Sequence, residues 1–396
     1  MTHPVRAYLD HAATSPMPRE VREAYLDALG VVGNPASTHQ HGQLASEALE
    51  TARDRIASAL GCDRAETILT GGGTESINLA IKGMYWARRR AGSGPVILVA
   101  AGEHHATFEA AQWLAEMQGA TLREVPIDSS GRIPPEALKR AIVEAGPDQV
   151  ALATLMWANN EVGTVQPVAE LCAVARVHGI PVHVDAVAAL GQERIDFAAT
   201  GAAALSVSAH KIGGPVGIGA LVLGRRSAAD PLMHGGTQQR ARSGSQDVAG
   251  AVAFAAALDL AVDDRGEPRE ERIARTRALR DRLVAGVREL VPEAVLRGPS
   301  DGSRLVSNAH FTFPGCQGDS LVFLLDVAGV SASVGSACQA GVHETSHVLL
   351  AMGVPEADAA GALRFTLGPD TTDGEVDALL AALPAAVTRA RAAGLS

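Results

Sequence analysis

A lysine after an apolar run, an aspartate closing another and a run of glycines are the residues of this chain best suited to chemistry. Lys211 lies in Ser208-Ala-His-Lys211-Ile-Gly-Gly-Pro-Val-Gly217, flanked by a hydroxyl and an imidazole and held by glycines and a proline. A lysine desolvated there has a lowered pKa and can form an imine with a carbonyl. The plain alternative is a lysine on an exposed loop. Asp185 closes the apolar run Val182–Val184. A carboxylate at that depth needs a cationic or protonated partner to stay ionised, unless it serves only to cap the next helix.

Thr70-Gly-Gly-Gly-Thr74-Glu-Ser76 sets three glycines before a helical pattern. Bare backbone N–H groups and a helix N-terminus suit a phosphate there. Taken alone, a plain strand–helix turn explains the run equally well; no lysine follows as in a Walker loop, and the spacing is not that of a dinucleotide fingerprint. The three features together point to pyridoxal phosphate, whose enzymes pair an imine-forming lysine with an acidic partner for the pyridine nitrogen. His104 and His105 are adjacent, but nothing supplies further ligands at metal-site spacing, so a ring stacked on the cofactor suits His104 better than a metal. Cys338 sits among small residues in Val334-Gly-Ser-Ala-Cys338-Gln-Ala-Gly341, where a thiol stays accessible. A cysteine-protease reading would recruit His343 or His347, yet leaves Lys211, Asp185 and the glycines unexplained. Cys62, Cys172 and Cys316 occupy apolar or turn settings and read as inert. Arg364, on the same side of a strand-like run as Thr366, can grip a carboxylate through two parallel bonds; an exposed strand arginine is the equal alternative.

These residues need a frame. Thr67–Thr70, Val96–Ala100, Val150–Met156, Val182–Asp185, Leu205–Ser208 and Ile218–Leu223 read as strands. Helical patterns at Thr74–Arg90, Thr107–Gln118, Pro135–Ala145 and Pro167–His178 alternate with them. Such alternation predicts an α/β fold with a mostly parallel sheet covered on both faces. Ligands of such sheets lie beyond the carboxyl ends of the strands, and the polar loops after five of the runs, those holding Gly73, His104, Asn160, Asp185 and Lys211, converge there. After Arg226 long helices (Gln246–Val262, Pro268–Leu290) precede strands at Ser307–Phe313, Gly329–Ser333 and Ala362–Leu367, the mark of a smaller α+β domain. The expected division is residues 1–20 packing with the small domain, 21–255 as the large cofactor-binding domain and 256–396 as the small domain carrying the Cys338 loop. Helix Arg19–Leu29 is expected to pack against the C-terminal part.

The 396 residues are 47% apolar and 20% charged, which excludes a disordered chain. Lys+Arg number 34 and Asp+Glu 44, a net charge of −10 that argues against direct nucleic-acid binding. The longest apolar stretch, near Val252–Val262, is interrupted by Asp259 and is too short for a membrane span. Scattered cysteines and an N-terminus without a signal-peptide core predict a soluble cytoplasmic protein with reduced thiols.

The order and spacing of these motifs, together with Tyr8-Leu-Asp-His-Ala-Ala-Thr14, Gly33-Asn34-Pro-Ala-Ser37, Asn159-Asn-Glu-Val-Gly163, Arg242-Ser-Gly244 and Arg364-Phe-Thr-Leu-Gly368, resemble the cysteine desulfurases. These are pyridoxal phosphate enzymes of fold type I in the class-V aminotransferase group. The Gly-Ser-Ala-Cys loop resembles the branch serving iron–sulfur assembly and tRNA thiolation. The resemblance implies a homodimer acting on L-cysteine and handing sulfur to a scaffold or tRNA-thiolating protein. Lys211 would bond the cofactor and move the Cα proton, Asp185 would keep the ring nitrogen protonated, and His104 would stack on the ring. Gly73, Thr74, Ser208 and His210 would hold the phosphate, with Ser245 offered by the other subunit. Asn34, Asn160 and Arg364 would contact the substrate, Asn160 also the cofactor, and Cys338 would take the sulfur as a persulfide. Three departures stand out: Ala188 replaces the usual glutamine, the segment before Ser245 is one residue short and ends in serine for threonine, and Glu344-Thr345-Ser346 replaces Glu-Pro-Ser. Ala188 keeps another C–S or C–Se lyase, such as a selenocysteine lyase, or a class-V aminotransferase open as alternatives.

Overall fold

Short β-branched runs, each bounded by polar turns, become the strands of the main sheet. The computed structural model describes residues 7–236, 238–335 and 345–392. After a two-residue strand β1 (Ala7–Tyr8) come β2 (Thr67–Thr70), β3 (Val96–Ala100), β4 (Thr121–Val125), β5 (Val150–Met156), β6 (Val182–Asp185), β7 (Ala204–Ser208) and β8 (Gly219–Leu223). The last seven form one sheet in the order β2-β8-β7-β6-β5-β3-β4. It is parallel from β7 to β4, and β8 runs antiparallel to both its neighbours. Every residue of β3, β5, β6, β7 and β8 is buried, as a sheet covered on both faces requires.

The strand at the far edge was hidden in the sequence. β4 reads Thr-Leu-Arg-Glu-Val, is largely exposed and has no clean alternation; charges on an edge strand guard its free hydrogen-bonding groups. Also unforeseen is the 20-residue helix Gln40–Ala59, whose buried stripe is diluted by Gly42, Ala45 and Ala52. The helical run expected at 74–90 forms, but Leu79–Gly83 is a π turn within it. At Gly83 an added Cβ would meet the Asp230 carbonyl at 2.5 Å, so the helix and that loop touch backbone to backbone.

The C-terminal part brings β10 (Asn308–Thr312) between β9 (Val295–Leu296) and β12 (Ala362–Thr366), all antiparallel. A separate parallel pair joins β1 to β11 (Val330–Ser331). Phe311, Phe313, Phe365 and Leu9 are fully buried in the core of this part. Residues 7–9 thus belong to the C-terminal core through β1 and Leu9. Helix Arg19–Leu29 lies on helix Val248–Ala261, part of the helical run expected at 246–262. That helix's nearly all-apolar sequence buries Ala251, Phe254 and Leu258 in the large core, to which Val21 of the first helix also belongs. Among the described residues, no helix is long and apolar enough to cross a membrane.

Candidate active site

In the parallel part of the sheet the chain moves outward from β3 to β4, then returns past β3 to β5. Such a reversal opens a crevice at the carboxyl ends of the two inner strands. Here His104 follows β3 and Asn160 follows β5, and the two line one cavity of about 490 Å³. Gly73, Thr74, Asp185, Ser208, His210, Lys211 and Arg364 line the same cavity. The expected convergence of the strand-end loops therefore occurs, with Arg364 reaching in from β12.

Lys211 sits in a short 3-10 turn, Ala209–Ile212, after β7, and Gly213 follows with φ +87°. Its Nζ donates to the carbonyls of Ala12 (2.5 Å) and Ala13 (3.0 Å). Burial lowers this amine from 10.5 to about 8; Arg364 adds to the shift, while Asp185 and Asp10 oppose it. The chain holds three lysines. Lys82 lies over the Trp113 ring and Lys139 pairs with Glu136 at 3.7 Å, so Lys211 is the lysine in the cavity.

Asp185 is 2% exposed, and its Oδ1 accepts from Val187 N at 2.9 Å. Burial pushes its carboxyl up to about 6, against the pull of that N–H and of Lys211. A cation beside a carboxyl so deeply buried favours its ionised form, and the protonated nitrogen of a pyridine ring is such a partner. His104 caps helix His105–Gln118, its Nδ1 accepting from Ala106 N at 3.1 Å. With Nδ1 so occupied, the neutral ring carries its proton on Nε2. Burial, reinforced by Lys211, lowers it to about 4, so the ring is neutral. His210 is lowered to about 4 by burial and then by Lys211, and its Nδ1 is 3.3 Å from Thr14 Oγ1.

The glycine loop is built for close approach. Gly72 has φ +130°, and an added Cβ on Gly73 would meet Val187 Cγ2 at 2.9 Å. Glu75 braces it, accepting from Gly71 N (2.6 Å) and Arg242 Nε (3.0 Å). The donor set fits pyridoxal phosphate: an amine for the aldehyde, a buried carboxyl for the ring nitrogen, and exposed backbone N–H groups with Ser208 for the phosphate.

Two expected residues are not on the cavity wall of their own chain. Asn34 is exposed and spends its Oδ1 on Ala36 N at 2.9 Å. Ser245 is exposed on the surface. Cys338 lies outside the described residues. The other cysteines are free thiols, and burial raises Cys62 and Cys172 to about 12 and lifts Cys316 as well, which makes all three poor nucleophiles. Sequence reasoning assigned no role to Asp10, Ala12 and Ala13, although their motif was visible; the carbonyls that hold Lys211 leave no side-chain signal.

A pH test follows from the amine. In the cofactor-free protein, Lys211 is expected to react with a small aldehyde half-maximally near pH 8, measured by borohydride trapping and peptide mass spectrometry. Because the folded state binds fewer protons than the unfolded chain between pH 8 and 10.5, this group also makes stability rise with pH across that window. Half-reaction near 10.5 would show a solvated amine.

The sequence matches the class-V aminotransferase family over residues 7–379. It is 49% identical over 392 residues to an IscS-like cysteine desulfurase of Mycobacterium tuberculosis, covering 98% of each chain. It is 38% identical to the cysteine desulfurase IscS of Dictyoglomus turgidum, over 97% of this chain and 95% of that one. A solved NifS-like protein superposes with a TM-score of 0.87 at 32% identity, covering 97% of this chain and all of the other. SspA in complex with cysteine superposes at 0.77 with 29% identity, over 92% of this chain and 100% of that one. With its site lysine, strand-end aspartate and glycine loop on such a frame, the chain belongs to the class-V aminotransferase family and, within it, to the cysteine desulfurases.

Proposed function

We propose that this chain is a pyridoxal phosphate-dependent L-cysteine desulfurase, working as a cytoplasmic homodimer that passes sulfur to an acceptor protein of iron–sulfur assembly or tRNA thiolation. The observation that carries the reading is Lys211 and Asp185 on the wall of one cavity that Arg364 also enters. A structure of the similar SspA holds cysteine, which supports the substrate.

When bound, pyridoxal phosphate supplies an aldehyde and a protonated ring that draws electrons from the substrate's Cα. Lys211 is the residue to bond the aldehyde carbon. Its amine, with a pKa near 8, is matched to taking and returning the Cα proton at neutral pH. Asp185 holds the proton on the ring nitrogen. His104 would present its neutral ring to the cofactor, with Nε2–H as the proton it could give. Gly73, Thr74, Ser208 and His210 hold the phosphate, and Ser245 of the second subunit completes that cradle. Asn160 and Arg364 orient the substrate carboxylate. The Cys338 thiolate attacks the substrate sulfur: an S–S bond forms, the C–S bond breaks, and the carbon is protonated. L-Cysteine and the enzyme thiol become L-alanine and an enzyme persulfide. Asn34 would contact the substrate from outside the cavity wall of its own chain.

The test is incubation of the holoenzyme with L-cysteine and a thiol reductant. Alanine and sulfide are expected in equal amounts, and Cys338→Ala is expected to lower both by at least about 10²-fold. Without reductant, mass spectrometry should find one added sulfur on the Cys338 peptide. Equal turnover by wild type and Cys338→Ala would remove the persulfide role, and no alanine from either would remove the desulfurase reading.

A further inference from the structure

Asp10 stands one residue before His11, which lines the cavity, and its carboxylate points to the arginine of the site. Its backbone forms a parallel bridge with Thr366, two residues beyond Arg364 on β12. Thr366 Oγ1 also accepts from Ala12 N at 2.9 Å, so the Asp10–Ala12 turn is pinned to that strand. From this seat Asp10 Oδ1 accepts from Arg364 Nη2 at 2.8 Å, the two side chains being 20% and 5% exposed. The other arm of the fork, Nη1, donates to the Asn160 carbonyl at 2.8 Å.

A guanidinium rotates freely about its last bonds unless both arms are fixed, and a carboxylate is gripped by two parallel N–H groups only if their plane is set beforehand. Asn160 fixes one arm of Arg364 and Asp10 the other. Cross-strand His310 is fully buried and held neutral by burial and then by Arg364. The buried Glu161 carboxylate also feels Arg364 but accepts from the Ser346 hydroxyl, whereas Asp10 hydrogen-bonds the guanidinium directly.

We propose that Asp10 is a positioning residue that orients Arg364 to receive the substrate carboxylate. This rests on the reading that Arg364 binds that carboxylate.

The test uses holoenzyme, calorimetry and two substrate fragments. 3-Mercaptopropionate keeps the carboxylate and thiol; cysteamine keeps the amine and thiol. Asp10→Ala is expected to weaken 3-mercaptopropionate about tenfold while leaving cysteamine unchanged, and to raise KM for L-cysteine with kcat nearly constant. Asp10→Asn, which keeps the acceptor oxygen and nearly the same shape, is expected to recover most of that affinity. Equal weakening of both fragments, or no recovery in Asp10→Asn, would overturn the positioning role. Arg364→Lys separates the premises. If it loses 3-mercaptopropionate while Asp10→Ala does not, Asp10 has no such role and the carboxylate reading stands. If Arg364→Lys binds normally, the carboxylate reading fails and the proposal with it.

Discussion

Lys211→Ala is expected to lower alanine formation from L-cysteine by about 10³-fold or more, with the fold intact. Two losses combine: the amine that bonds the cofactor and the base that moves the Cα proton, the second alone worth about 10²- to 10⁴-fold. Neither Lys82 nor Lys139 can substitute, since one is held over Trp113 and the other on Glu136. Lys211→Arg keeps a positive charge but cannot form the imine, so it is expected to be as inactive as the alanine variant. The variants should keep their thermal midpoint, because removing a half-buried amine held only by the Ala12 and Ala13 carbonyls relieves a desolvated charge and leaves no large cavity. A turnover within tenfold of wild type would show that the proton moves elsewhere.

The second large effect concerns Asp185. Asp185→Asn is expected to lower turnover by about 10²- to 10³-fold, the usual scale for deleting one preorganised charge at a reacting centre. Stability of the cofactor-free protein should move the other way. The folded carboxyl is raised from 3.8 to about 6, so the fold binds more protons than the unfolded chain between those values. Stability from this group is fully present below pH 4 and falls as pH rises through 6. Asp185→Asn removes that slope, and its melting temperature should change less between pH 4 and 6.5 than that of wild type. Lower activity with unchanged or higher stability marks a carboxylate kept for chemistry. Equal losses of both would instead make Asp185 a structural cap.

Much of the site was legible because strands announce themselves. Val150–Met156 is apolar but for Thr154, and the short run Val182-His-Val184 leads straight into Asp185, so the polar residues beyond them had to fall on one rim. The lysine was legible for a related reason: a charged residue after an apolar strand, fenced by glycines, has few bland explanations. What stayed hidden depends on contacts distant in sequence or made by backbone. The Ala12 and Ala13 carbonyls reach Lys211 across about two hundred residues, and alanine carries no chemical signal. The pairing of Asp10 with Arg364 is more remote still, across 354 residues. Helix Gln40–Ala59 escaped because alanine blurs the hydrophobic stripe, and β4 because an edge strand need not be apolar. The roles given to Ser245 and Cys338 came from resemblance to the family and rest on it.

Reduction of the holoenzyme with borohydride, followed by peptide mapping, addresses the core of this account most directly. Three lysines are available, so the outcome is unambiguous. A pyridoxyl phosphate adduct is predicted on Lys211 alone, with loss of the protein's visible absorbance. An adduct on Lys82 or Lys139, or a protein that binds no cofactor, would contradict it.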